Sequence, residues 1–174
     1  LKIIKKQVDL PQMFVSARES LDSGINVICF FIVGFPHETW RHIFNTYKAI
    51  AKCAVMGIKA ISVNVFSPQP STQLFEELRR QNLVDLDDAY LQSLFEFPAF
   101  GRKKKSFNPR FSDAGITAVS LGGLALFFGI RFLLRPYLIL QLAGEVFTLR
   151  SENRLGKSIK AVVFEFARGL KFRM

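Results

Sequence analysis

The sequence predicts an α/β fold built on parallel strands and followed by a basic, apolar helical extension. Three observations carry that prediction. The stretch Val27–Gly34 is apolar or glycine without alternation, which suits a strand covered on both faces. Trp40, Ile43, Phe44, Tyr47, Ile50, Ala51 and Ala54 recur at helical spacing, the mark of a helix with one buried stripe. The charge is divided: residues 1–100 carry 10 Lys+Arg and 10 Asp+Glu, whereas residues 101–174 carry 14 against 4 and supply the whole +10. A shift of that size places a boundary near Pro98–Arg102 and assigns 1–98 and 99–174 to different domains.

Taken in order, Asp9 is a helix N-cap with Pro11 just inside the first turn, where its missing N–H costs little. Leu10, Phe14, Ala17 and Leu21 follow at helical spacing to a stop at Gly24. Ile25–Val33 is the first strand. Gly34-Phe35-Pro36 cannot continue it and turns the chain, and His37-Glu38-Thr39 opens the helix that ends near Gly57. Lys59–Phe66 reads as a second strand, with Ile61, Val63 and Val65 alternating against Ser62 and Asn64. Ser67–Thr72 is a proline-stiffened loop, and Leu74–Gln81 a short helix. Helix, strand, helix, strand, helix contains too few parallel strands to hide both sheet edges. With Leu1 already inside a helical pattern, the chain is expected to be a piece of a longer protein whose further strands lie upstream.

Cys29 and Cys53 are 24 positions apart in apolar surroundings. That matches neither a disulfide framework nor a metal-ligand spacing, so buried free thiols and a reducing cytoplasm are expected.

Several segments, in order, resemble the C-terminal half of a radical S-adenosylmethionine (SAM) enzyme, especially the group with an N-terminal cobalamin-binding domain. Leu1–Lys6 is similar to the segment after that family's ribose-contacting strand. Gly24–Val27, Phe31–Pro36 and Glu38-Thr39 resemble its fifth strand and adenine-side turn. Val63–Pro68, Pro70 and Thr72 resemble its sixth strand and the Pro-Gly-Thr loop, and Arg131–Pro136 is similar to a Phe-Tyr-x-Arg-Pro element of the cobalamin-type extensions. The match covers most of 1–98 and, more loosely, 110–150. Departures are His37 and Ser71 where the family has Gly, Phe30 where Gly is frequent, and the absence of the Cys-x-x-x-Cys-x-x-Cys triplet. Losing glycine removes positive-φ options.

The resemblance implies the C-terminal half of a partial parallel (β/α) barrel and a specific set of roles. Ile32, Val33, Gly34, Phe35 and Pro36 would line the adenine edge, and Phe66 and Ser67 would close its other side. SAM and a four-iron four-sulfur cluster are the implied cofactors, with the cluster ligands upstream of this chain and cobalamin as a further cofactor of the subgroup. No metal ligand and no catalytic residue is assigned here. Glu38-Thr39 is more simply the first turn of a helix, where a carboxylate complements the dipole. His37 reads as an incidental turn residue, and Lys5 and Lys6 as a solvated helix end.

Ala114–Ile130 is 17 residues without a charge and rich in glycine, at the lower edge of the roughly 17–25 needed to span a bilayer. Arg131 and Arg135 follow at once, and Arg102–Lys105, Lys157, Lys160, Arg168, Lys171 and Arg173 flank it. A helical extension lying on an anionic membrane or packed on the barrel ranks first, a true span second, and nucleic-acid binding last, since no base-reading module is visible. The expected function is part of a radical SAM enzyme acting on an unactivated carbon of a small-molecule or lipid-like substrate, cytoplasmic and peripheral at the inner face of the membrane. The rivals are a non-enzymatic, membrane-peripheral remnant of such an enzyme, and an unrelated α/β-barrel enzyme using the same turn for phosphate.

Overall fold

The computed structural model describes residues 9–95 and 105–137, and within them the chain is mixed α/β. In order come α1 (Leu10–Asp22), β1 (Ile28–Val33), α2 (Trp40–Met56), β2 (Ala60–Val65), α3 (Gln73–Arg80), α4 (Asp88–Phe95) and α5 (Asp113–Leu134). The Lys5-Lys6 pair, Arg102–Lys104 and the basic residues from Lys157 onward lie outside the described residues.

Local chemistry sets each boundary. Asp9 caps α1, its Oδ1 accepting from the Gln12 N–H at 3.3 Å, and Gly24 turns the chain out at φ +78°. Thr39 caps α2, and His42 takes the reciprocal part usually played by Glu or Gln: its Nδ1 accepts from the Thr39 N–H at 3.2 Å. Gly57 ends that helix at φ +93°, the left-handed cap only glycine adopts freely. Thr72 caps α3 by accepting from the Phe75 N–H.

The two strands pair in parallel, Ile28 opposite Ala60 and Val33 opposite Val65, with α2 as the crossover. No barrel is formed by these two strands. One sheet face is packed: Val33, Ile61 and Val63 lie in the core with Ile43, Ile50, Cys53 and Ala54 of α2 and Ile116 and Val119 of α5. The other face is open. Ile28, Phe30 and Ile32 are 43%, 65% and 49% exposed, so the expectation of a strand covered on both faces holds for one face only among the described residues. The α2 stripe is likewise narrower than its sequence suggests, with Trp40 and Phe44 exposed.

Residues 105–127, assigned from charge to the extension, pack within the first of two compact units, which divide at Phe127–Phe128. Phe107 joins Phe75, Leu78 and Val84 in one apolar cluster under α3. The α5 backbone comes close to the sheet, because a side chain at Gly123 would meet Ile50 and Val63 at 3.1 and 3.3 Å. The Tyr47 hydroxyl donates to the Val119 carbonyl at 2.6 Å, and Ser120 Oγ donates to the Val63 carbonyl at 2.6 Å. The Phe66 N–H bonds back to Val33 O on β1, so by the two-residue alternation of strand backbones the Val63 carbonyl points to the other edge. Ser120 thus satisfies an edge carbonyl of β2, and α5 shields that edge from further pairing. It is 22 residues long with an 18-residue window of mean hydropathy 1.8, long and apolar enough to cross a membrane by length and composition, and 22% of that window is buried.

Candidate functional site

The C-terminal ends of β1 and β2 converge on a small, internally bonded structure. Gly34 leaves β1 at φ +90°. Its buried N–H donates to the Glu38 carboxylate, and the Glu38 N–H donates to Phe35 O at 2.9 Å, so Gly34–Glu38 is a closed turn. Asn108, 3% exposed, locks that turn from 70 residues away. Its Nδ2 donates to Phe35 O at 2.6 Å and to Glu38 O at 2.9 Å, while its Oδ1 accepts from the Arg110 N–H at 2.8 Å. Glu38 precedes the α2 cap rather than opening the helix, and it points back at Gly34. Burial pushes its pKa above the ordinary 4.5, opposed by the Gly34 and Phe35 N–H groups and by His42.

Beside this turn stand three rings. Phe35 and Phe66, one from each strand end, have centroids 4.6 Å apart, and Phe107 meets Phe66 edge-on at 6.3 Å. A cleft of about 300 Å³ opens next to them, lined by Pro36, His37, Glu77, Lys105, Phe107 and Asn108 among others. Lys105 Nζ donates to Leu83 O at 3.0 Å and lies 5.3 Å from the Phe107 ring centroid. The cleft therefore offers an apolar wall with one acidic and one basic side chain at its rim.

The residues expected to line an adenine site are divided by this arrangement. Phe35, Pro36 and Phe66 lie together at the strand ends. Ser67 is exposed next to them, and the Tyr90 hydroxyl donates to the neighbouring Pro68 O. Ile32 is on the open sheet face and Val33, fully buried, on the packed one. Gly34 permits a close approach, but of α5: a Cβ there would sit 2.8 Å from Ile116 Cγ1. Ser71, where the family has glycine, adopts φ +67° all the same, while His37 is not among the positive-φ residues. Asn108 and Glu77 escaped the sequence reading, in which Lys105 figured only as part of a basic flank of the extension. The Asn108-Pro109 pair is a turn signal, yet nothing in the sequence ties it to residues 35–38.

No protein-family model, curated protein or solved structure matches the chain.

Proposed function

We propose that this chain supplies the C-terminal part of a radical SAM enzyme, with the cluster-binding cysteines and the remaining barrel strands upstream. The observation that carries the reading is the meeting of Phe35 and Phe66 at the C-terminal ends of adjacent parallel strands, where ligands of parallel α/β sheets are held. Two further features support it. The β2 edge is shielded by α5 while the apolar face of Ile28, Phe30 and Ile32 is open, which suits a sheet that continues only on the β1 side and curls around that face. Ser71, where the resembled family has glycine, adopts φ +67°, a conformation that glycine reaches without strain.

The donor set fits an adenine in part. The half-buried Phe35 and Phe66 rings suit stacking on a planar base. The Gly34 N–H is already taken by Glu38, so it orients the turn rather than the ligand. Cys29 and Cys53 are free thiols and, being two, do not make a four-iron cluster site. When bound, SAM and its cluster supply the radical chemistry. This chain's residues would shield one side of the site with Phe35, Phe66 and Phe107 and hold the turn through Glu38 and Asn108. The substrate is small or lipid-like, and cobalamin belongs to the proposal as a further cofactor of the longer protein. The apolar α5 and the basic C-terminal residues suit attachment to an anionic membrane face; the rival is a remnant that keeps this attachment without catalysis.

The test begins with the coding sequence upstream of Leu1, where Cys-x-x-x-Cys-x-x-Cys is expected. The longer protein, reconstituted anaerobically with iron and sulfide, should then release 5′-deoxyadenosine from SAM on reduction. A frame without the triplet removes the catalytic reading and favours the remnant.

A further inference from the structure

The outer side of α2 is apolar where a solvated helix would be polar. Trp40 is 65% exposed and Phe44 and Val55 are each 62% exposed. At about 100° per residue the three fall within about 60° of arc, so they make one strip along the helix. Arg41 and Lys48 follow on its solvent side, with Lys48 Nζ 4.7 Å from the Phe44 ring centroid. Lys52 lies beyond them, turned to the Phe14 ring of α1. Over its 17 residues α2 carries three Lys or Arg and no Asp or Glu. On the other side the strip adjoins α5: Trp40 meets Phe111 edge-on at 4.8 Å, and the Tyr47 hydroxyl reaches Val119 O. Away from the sheet α5 presents Ala118, Leu121 and Ala125, all exposed and uncharged. Arg110, next to Phe111, is exposed as well.

We propose that this outer face of α2, together with the adjoining row of α5, is an interfacial membrane-docking surface for anionic lipid. Trp40, Phe44 and Leu121 enter the boundary between headgroups and acyl chains, while Arg41, Lys48 and Arg110 meet the anionic headgroups. The choice of lipid as occupant rests on the anionic-membrane reading given above. The surface is a different one, since that reading drew on the length of α5 and on basic residues toward the C-terminus.

The chemistry of the face selects this occupant. An aromatic and aliphatic strip with cations along its border and no carboxylate on its helix is the pattern of helices that lie in a membrane interface. Nucleic acid would engage the cations but would have no use for Val55, Leu121 and Ala125. A second copy docked face to face would set Arg41 and Lys48 against their own like charges. Trp40 also follows the Gly34–Glu38 turn by two residues, so docking holds the strand ends near the headgroups.

Trp40 is the only tryptophan of the chain, and its fluorescence therefore reports on this face directly. Vesicles of phosphatidylcholine with phosphatidylserine, added to the full chain, should shift Trp40 emission to shorter wavelength. Lipids with brominated acyl chains should quench it. Arg41→Glu combined with Lys48→Glu, both at exposed positions, should weaken co-flotation with these vesicles at least about tenfold while the circular dichroism spectrum is unchanged. Co-flotation with Trp40 emission unmoved would overturn this assignment and leave membrane attachment through the rest of the chain standing. Loss of co-flotation altogether would remove both. Equal binding to pure phosphatidylcholine would overturn the role of the cations. An emission shift that follows protein concentration without lipid would replace the bilayer with a second copy, and a stronger response to a mixed-sequence oligonucleotide would replace it with nucleic acid. The emission and quenching readouts need no variant, so a double variant that fails to fold leaves the test intact.

Discussion

Glu38 illustrates how one side chain serves a turn against its own preference for water. It is 8% exposed and accepts from the Gly34 N–H, yet burial raises its pKa above the ordinary 4.5. A raised carboxyl favours the protonated form in the folded chain. Its contribution to stability is complete below pH 4.5 and is lost as the pH rises through the raised value. Glu38→Gln is neutral at every pH and still offers an amide oxygen to Gly34. It should match the wild type in acid and exceed it at neutral pH in urea titrations. Glu38→Ala should lose about 1–3 kcal/mol at any pH by orphaning a buried N–H. The positive-φ positions make a second contrast. Gly34→Ala combines φ +90° with a Cβ 2.8 Å from Ile116, and about 1–3 kcal/mol of destabilisation is expected from the backbone alone. Ser71→Gly, at φ +67°, should gain stability, by up to about 1 kcal/mol.

At the scale of elements, distant segments are fixed by few polar contacts. Asn108 holds the loop after α4 onto the β1–α2 turn with two hydrogen bonds, and a third, from the Arg110 N–H, fixes its side chain within its own loop. Asn108→Ala should therefore cost about 2 kcal/mol or more and should raise amide exchange at Glu38, which hydrogen-exchange mass spectrometry would detect. The docking of α5 depends on small residues. Gly123→Leu would drive a side chain into Ile50 and Val63 and should unseat the helix from the sheet. The check is protease susceptibility within Asp113–Phe127, expected to rise while α1 keeps its resistance. An unchanged pattern would mean that α5 is held by Tyr47 and Ser120 alone.

For the whole molecule, the asymmetry of the sheet is the dominant feature. Its packed face and shielded β2 edge contrast with an open face bearing Ile28, Phe30 and Ile32. Contiguous exposed apolar surface of that kind promotes association. Phe30→Lys should raise the solubility of this chain with little change in its melting temperature, because a ring 65% exposed contributes little to the core. Light scattering against concentration, with a thermal melt, checks both halves of that expectation. A large loss of melting temperature would instead show that Phe30 packs against chain outside the described residues.

What the sequence determined by itself was local. The helix cap at Asp9, the stops at Gly24 and Gly57, and the alternation of Ile61, Val63 and Val65 were all legible, because each depends on backbone chemistry within a few residues. The parallel pairing was legible too, since a strand-helix-strand order leaves little alternative. Only the tertiary structure decided which face of β1 would be covered, since an unbroken apolar run carries no alternation to distinguish its sides. It also decided that Gly34 makes room for Ile116 and that Asn108 closes the turn. Those contacts join residues 70 to 82 positions apart, and their partners are chosen by packing geometry, which no local pattern encodes.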